Sequence, residues 1–357
     1  MNLHTQNLRN QGVSIWLDNI TRKMLDNGLL QHYIAELSVT GLTSNPSIFE
    51  AAIAKTIDYD EAIRRMNTQL SDEEVFFNLA VDDIQRAADL FLPVYSATNG
   101  LDGFVSIEVS PLLAYDTEST IKAARDIHQK VNRPNAFIKI PGTPQGLPAI
   151  EKAIAEGIPV NITLLFSAEQ YESAAMAYLK GIETRIEKGL YPDIRSVASV
   201  FVSRWDKAVA DKAPAGLQNQ LGIAVMHRTY YNYLRFLKSE RVQKAMNFGV
   251  FPQRLLWAST GTKDPNASDI LYVKNLVAPY TVNTIPENTL LAYAGHGEVG
   301  PMLPDNTISA DRIISQFAEL SVDYLQLAEQ LQTEGAQAFN KSWNNLIESI
   351  AAKRNQL

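Results

Sequence analysis

Lys139 stands where a lysine is seldom found. It interrupts the apolar run of Phe137, Ile138 and Ile140, just before a Pro-Gly-Thr-Pro turn, and lysine is rarely buried without a partner. On an edge strand its ammonium would simply be solvated. Desolvated on purpose, the amine becomes partly neutral and can attack a carbonyl. Glu108, in Val105-Ser106-Ile107-Glu108-Val109, poses the complementary problem, because a buried carboxylate is costly unless a cation shares its surroundings. The two residues explain one another. A lysine beside a carboxylate on the adjoining strand can be charged at rest and lose its proton when a carbonyl arrives.

The reaction class with this need is Schiff-base aldol chemistry. The amine condenses with a ketose C2 carbonyl, and the iminium withdraws electrons as the C3–C4 bond breaks. One group must take the proton of the C4 hydroxyl, and another must assist dehydration of the carbinolamine. Asp18 and Glu108 could fill these posts, and Asn45 and Asn161 could hold the hydroxyls of the three-carbon fragment. Each residue also has an ordinary use. Asp18 could cap a helix, Asn45 could build a turn before Pro46, and Thr163 and Ser199 are common strand residues.

The elements that would position these groups are short apolar runs alternating with longer helical patterns. Eight candidate strands cover 13–17, 38–42, 104–109, 137–140, 160–166, 196–202, 254–259 and 281–285. They are rich in Val and Ile and mostly apolar on both faces, as covered parallel strands are. Ser71 with Glu74, and Ser167 with Gln170, read as capping boxes. In the helix after Ser167, Ala168, Tyr171, Ala175, Tyr178 and Leu179 recur at helical spacing, and Gly189 closes the region. Strand and helix repeated eight times predicts an α/β chain folded as a (β/α)₈ TIM barrel. A doubly wound sheet finds no support, since no G-x-G-x-x-G follows the first strand.

Extra helices are expected between strands 2 and 3, where 49–97 has room for about three, and between strands 6 and 7, across 205–253. The tail from Ser309 reads as helical throughout, with a stripe of Ile313, Ile314, Phe317, Leu320, Tyr324 and Leu327 that predicts packing on the barrel. No linker divides the chain, so residues 1–357 are expected to form one domain. Barrel enzymes carry their chemistry at the carboxyl ends of the strands. Asp18, Asn45, Glu108, Lys139, Thr163, Ser199 and Arg204 mostly fall there, and Asn161, early in its strand, fits least well.

The 357 residues carry 32 basic and 39 acidic side chains, a net charge of −7, and no cysteine. Disulfides and thiolate chemistry are thereby excluded, and a reducing compartment fits. Without a basic block no nucleic-acid partner is expected. No apolar run approaches a membrane span, and Met1 to Gly12 lacks the apolar core of a secretory signal, so the expected location is the cytoplasm. His4, His32, His128, His227 and His296 show no metal-ligand spacing, which argues against a metal-dependent aldolase. His296, in GHGEVG, is read as a structural loop residue.

The motifs GLTSNPSIF (Gly41 to Phe49) and FIKIPGTPQGLPAIE (Phe137 to Glu151) resemble the signatures of transaldolases. IWLDN, VSIEVSPLLAYD, NITLLFS and ASVFVSRWD accompany them in the family's order. The length and the STGTK loop are similar to the larger bacterial subfamily within the class I Schiff-base aldolases. The resemblance implies a cofactor-free barrel, monomeric or homodimeric, that moves a dihydroxyacetone unit between sugar phosphates of the pentose phosphate pathway. It implies Lys139 as the Schiff-base lysine, Asp18 as the base at the C4 hydroxyl, and Glu108 with Thr163 moving protons through a water. Asn45 and Asn161 would bind donor hydroxyls, and Ser199 and Arg204 the phosphate. The family's second phosphate-binding arginine is missing from WASTGTKDPNASD, where Lys263 is the candidate substitute. A fructose-6-phosphate aldolase would use the same lysine, but its members carry Gln and Tyr at the positions of Glu108 and Phe201. Both residues favour the transferase, with Phe201 beside the substrate. A binding-only barrel would be expected to have lost the lysine or a carboxylate.

Overall fold

The computed structural model describes residues 1–66 and 68–357. Its eight strands are β1 (Val13–Leu17), β2 (Val39–Thr43), β3 (Val105–Glu108), β4 (Ala136–Pro141), β5 (Val160–Leu165), β6 (Ser196–Phe201), β7 (Arg254–Ala258) and β8 (Thr281–Ile285). Every strand pairs in parallel with the next, and β8 closes on β1. The chain is thus a (β/α)₈ barrel, with no edge strand on which Lys139 could be solvated. Closure also explains the continuous apolar runs. One face of each strand packs into the barrel and the other lies under helices, so β2 to β8 are buried throughout.

Both expected capping boxes form, at the start of the helices Asp72–Ala97 and Ala168–Glu187. The β2–β3 connection contains the helices Pro46–Lys55, Asp60–Arg64 and Asp72–Ala97. Arg22 ties it to the barrel through Asp83, at 2.7 Å, while the Tyr59 hydroxyl donates to the same carboxylate at 2.8 Å. The β6–β7 connection contains Ser203–Val209, Leu221–Leu237 and Glu240–Asn247. No helix among the described residues is long and apolar enough to cross a membrane.

The tail departs from a continuous helix. It divides into Ile308–Glu319 and a terminal helix, Tyr324–Gln356, because Ser321 adopts a left-handed φ of 61°. The expected stripe is therefore shared between two helices, and Leu320 falls, exposed, in the break between them. The terminal helix does not simply pack on the outer ring. Near its start Tyr324 stacks on Trp205 and accepts from Ala168 N; further on Trp343 packs edge-to-face on Phe76. Between these anchors the helix crosses the carboxyl-end mouth of the barrel.

Candidate active site

Lys139 lies on β4, in register with Glu108 on β3 and Asn161 on β5. Its Nζ is 3.0 Å from Glu108 Oε2, with the two side chains only 7% and 3% exposed. The ammonium also donates to the Ser44 carbonyl at 3.0 Å, from the loop after β2. It is therefore held from two directions. Burial pushes the Glu108 carboxyl upward; the Lys139 charge and contact oppose this, and the negative charge of Asp18 adds to it. Asp18, immediately after β1, is likewise raised by burial against the pull of Lys139, a hydrogen bond from Thr43 and the charge of Lys263. That bond runs from Thr43 Oγ1 to Asp18 Oδ1 at 2.8 Å, and Thr284 Oγ1 lies 2.6 Å from the same hydroxyl. Two carboxyl groups that resist ionisation thus flank one ammonium. Such neighbours can exchange protons with a substrate more readily than ordinary surface acids.

A cavity of about 190 Å³ opens above them, lined by Asp18, Asn45, Lys139, Thr163, Ser199, Phe201, Arg204, Lys263 and others. Arg204 follows β6 and lies 5.7 Å from the Phe201 ring. It makes no ion pair or hydrogen bond among the described residues; burial lowers its pKa, with the Glu334 carboxylate opposing. A half-buried guanidinium in a cavity, with its donors free, suits an anion such as phosphate. Lys263 is exposed at the rim and also unpaired among the described residues. It offers a point charge where a fork would bind bidentately. Asn45 lines the cavity while its Oδ1 caps the helix Pro46–Lys55 through Ile48 N, so its turn-building and site positions coincide.

Asn161 is placed differently. It is fully buried, its Nδ2 donates to Ser106 Oγ at 3.1 Å, and its Oδ1 accepts from Ser199 Oγ at 2.7 Å. It forms a polar layer beneath the cavity and is not part of the cavity wall. Thr163 and Glu108 show the opposite state: Thr163 Oγ1 and Glu108 Oε1 are buried with no hydrogen-bond partner among the described residues. Buried polar atoms of this kind are uncommon.

Sequence reading missed several contributors. Thr43, Ser44 and Thr284 lie at strand ends, and the carboxyl-end rule alone would have flagged them. Phe339, on the terminal helix, lines the cavity with its ring 6.0 Å from Lys139 Nζ, and its spacing carried no such signal. His296 ends the helix Glu287–His296, exposed and 3.3 Å from Asp269, and is not a loop residue. No cluster of three potential metal ligands occurs among the described residues. A second cavity, of about 340 Å³, adjoins through Lys263, but the buried carboxylate in its wall, Asp206, is already occupied by Gly222 N and Tyr272 Oη. The smaller cavity therefore has the reactive groups.

A parallel barrel with a lysine and two acids gathered at its carboxyl-end mouth defines a barrel enzyme. The family described as Transaldolase/Fructose-6-phosphate aldolase matches residues 15–350. A transaldolase of Kocuria rhizophila is 43% identical, over 99% of this chain and 98% of its own length. Transaldolase 2 of Nostoc punctiforme is 40% identical over 98% and 97%, and a transaldolase of a Parafrankia species 42% over 95% of each. The chain belongs to the transaldolase/fructose-6-phosphate aldolase family.

Proposed function

We propose that the chain is a transaldolase that carries its three-carbon fragment as a Schiff base on Lys139. It is a transferase, moving a dihydroxyacetone unit from sedoheptulose 7-phosphate or fructose 6-phosphate to glyceraldehyde 3-phosphate or erythrose 4-phosphate. The observation that carries the reading is the buried Lys139–Glu108 contact at 3.0 Å, with Lys139 in the cavity wall, Glu108 buried behind it, and Asp18 interacting with the same ammonium.

In this mechanism Lys139 gives a proton to Glu108 and attacks the ketose C2 carbonyl, forming a carbinolamine. Glu108 returns the proton through a water held by Thr163, hydroxide leaves as water, and an iminium remains. The unpartnered Thr163 Oγ1 and Glu108 Oε1 support these two posts. Asp18 then takes the C4-hydroxyl proton, the C3–C4 electrons flow into the iminium, and the aldose phosphate departs. The enamine left on Lys139 attacks the acceptor aldehyde, whose oxygen recovers the proton from Asp18. Hydrolysis of the new iminium releases the product. Arg204, aided by Lys263 and by Ser199 once its hydroxyl turns from Asn161 to the phosphate, holds the phosphate, and Asn45 contacts donor hydroxyls. Asn161 serves through Ser199, which it holds by hydrogen bond. The continuous packing of helices around one barrel supports a single domain over 1–357. A cytoplasmic enzyme fits the absence of cysteine, and its working form is taken as a monomer or homodimer.

Borohydride added with fructose 6-phosphate should trap the donor fragment covalently on Lys139. Mass spectrometry that finds no adduct, or one on another lysine, overturns the mechanism. With the acceptor withheld, a transaldolase releases free dihydroxyacetone slowly. Rapid release would indicate the aldolase branch, which Glu108 and Phe201 disfavour.

A further inference from the structure

We propose that Gln332 of the terminal helix is a positioning residue for Thr163, holding the distorted end of β5 that places this residue in the cavity wall. The inference rests on the reading that Thr163 and Glu108 manage the protons of imine formation.

The distortion is local and costly. β5 and β6 lose register between Ile162 and Leu165, where three steps of β5 run against two of β6. Leu164 adopts a left-handed φ of 58°, a conformation in which a leucine side chain crowds its own backbone. Bulges of this kind re-aim side chains next to functional sites, and here Thr163 lies within the bulge itself. Because Thr163 Oγ1 has no hydrogen-bond partner among the described residues, its direction is set by the backbone and by its stiff χ1. Something outside the strand must therefore stabilise the strained arrangement.

Gln332 is the group in position to do so. Its Nε2 donates to the Leu164 carbonyl at 2.9 Å and to the Gly142 carbonyl at 3.1 Å. Gly142 N in turn donates to the Thr163 carbonyl at 2.7 Å. Both amide hydrogens of a buried side chain are thus used to staple the ends of β4 and β5 on either side of Thr163. One turn along the helix, Gly335 allows close approach, since a Cβ there would come within 2.9 Å of Leu164 Cδ2. One further turn brings Phe339 over Lys139. The helix face that clamps the bulge also covers the nucleophile.

Gln332→Met keeps the length and shape of the side chain and removes both donors. The expected result is a folded protein by circular dichroism, with kcat reduced about tenfold to a hundredfold, as a small misplacement of a reacting group costs. KM for fructose 6-phosphate should stay within about twofold of wild type, because the phosphate and hydroxyl contacts are untouched. Borohydride trapping on Lys139 should slow by the same factor as kcat. In a Thr163→Ala background the added Gln332→Met should cost nothing further, since its effect passes through Thr163. Wild-type kcat, or an equal loss in both backgrounds, overturns the proposal. Should Gln332→Met fail to fold, Gln332→Asn, whose amide is one methylene short, must show the same loss of kcat at constant KM. Wild-type kcat in that variant overturns the proposal too. Absence of a Lys139 adduct in the wild-type enzyme would instead refute the Schiff-base reading.

Discussion

The Lys139–Glu108 pair is the most stringent test of the site, because its energetics can be worked out from its geometry. Two opposite charges 3.0 Å apart attract by about 5.5 kcal/mol at an effective dielectric constant of about 20. Removing both from water offsets much of that gain, so the pair as a whole contributes little to stability. Breaking it is another matter. Glu108→Leu leaves a buried ammonium facing the Ser44 carbonyl and Asp18, and should destabilise the protein by about 3–5 kcal/mol. Lys139→Met should cost less, because Glu108, already raised by burial, can take up a proton when its partner is gone; this cost should grow with pH. Replacing both should fall within about 1 kcal/mol of wild type or be mildly stabilising. The assay is urea denaturation of wild type, both single variants and the double variant at neutral pH. Single costs that add in the double variant to within about 0.5 kcal/mol would refute a coupled buried pair.

Two other outcomes follow from the electrostatics. Arg204→Ala should lower kcat/KM for fructose 6-phosphate by about tenfold to several hundredfold, since each hydrogen bond to a charged group contributes about 1.5–3 kcal/mol. Reactions of unphosphorylated dihydroxyacetone should change little, and equal losses for both would remove Arg204 from the phosphate site. Asp18→Asn should abolish turnover yet stabilise the fold at neutral pH. Burial raises the Asp18 pKa, so its charged form weakens the fold above the folded-state pKa. The penalty fades as pH falls toward the unfolded value of about 3.9. Melting temperatures of variant and wild type compared across this range should converge in acid. A benefit that grows as pH falls would show that burial does not dominate at Asp18.

Sequence alone determined the eight strands, both capping boxes and the suspicion attached to Lys139 and Glu108. These rest on local physics: a buried parallel strand must be apolar on both faces, a helix start needs a side-chain acceptor, and a charge in an apolar run needs a partner. The tertiary structure decided what Asn161, Gln332 and Phe339 touch. Asn161 looks like a site residue in the chain but is engaged by Ser106 and Ser199. Gln332 and Phe339 looked like ordinary helix positions, yet they reach the bulge that contains Thr163 and the amine of Lys139. The break at Ser321 and the left-handed turn at Leu164 lie outside pattern reading for the same reason. Periodicity records which residues share a face, and only packing between distant segments determines what that face meets.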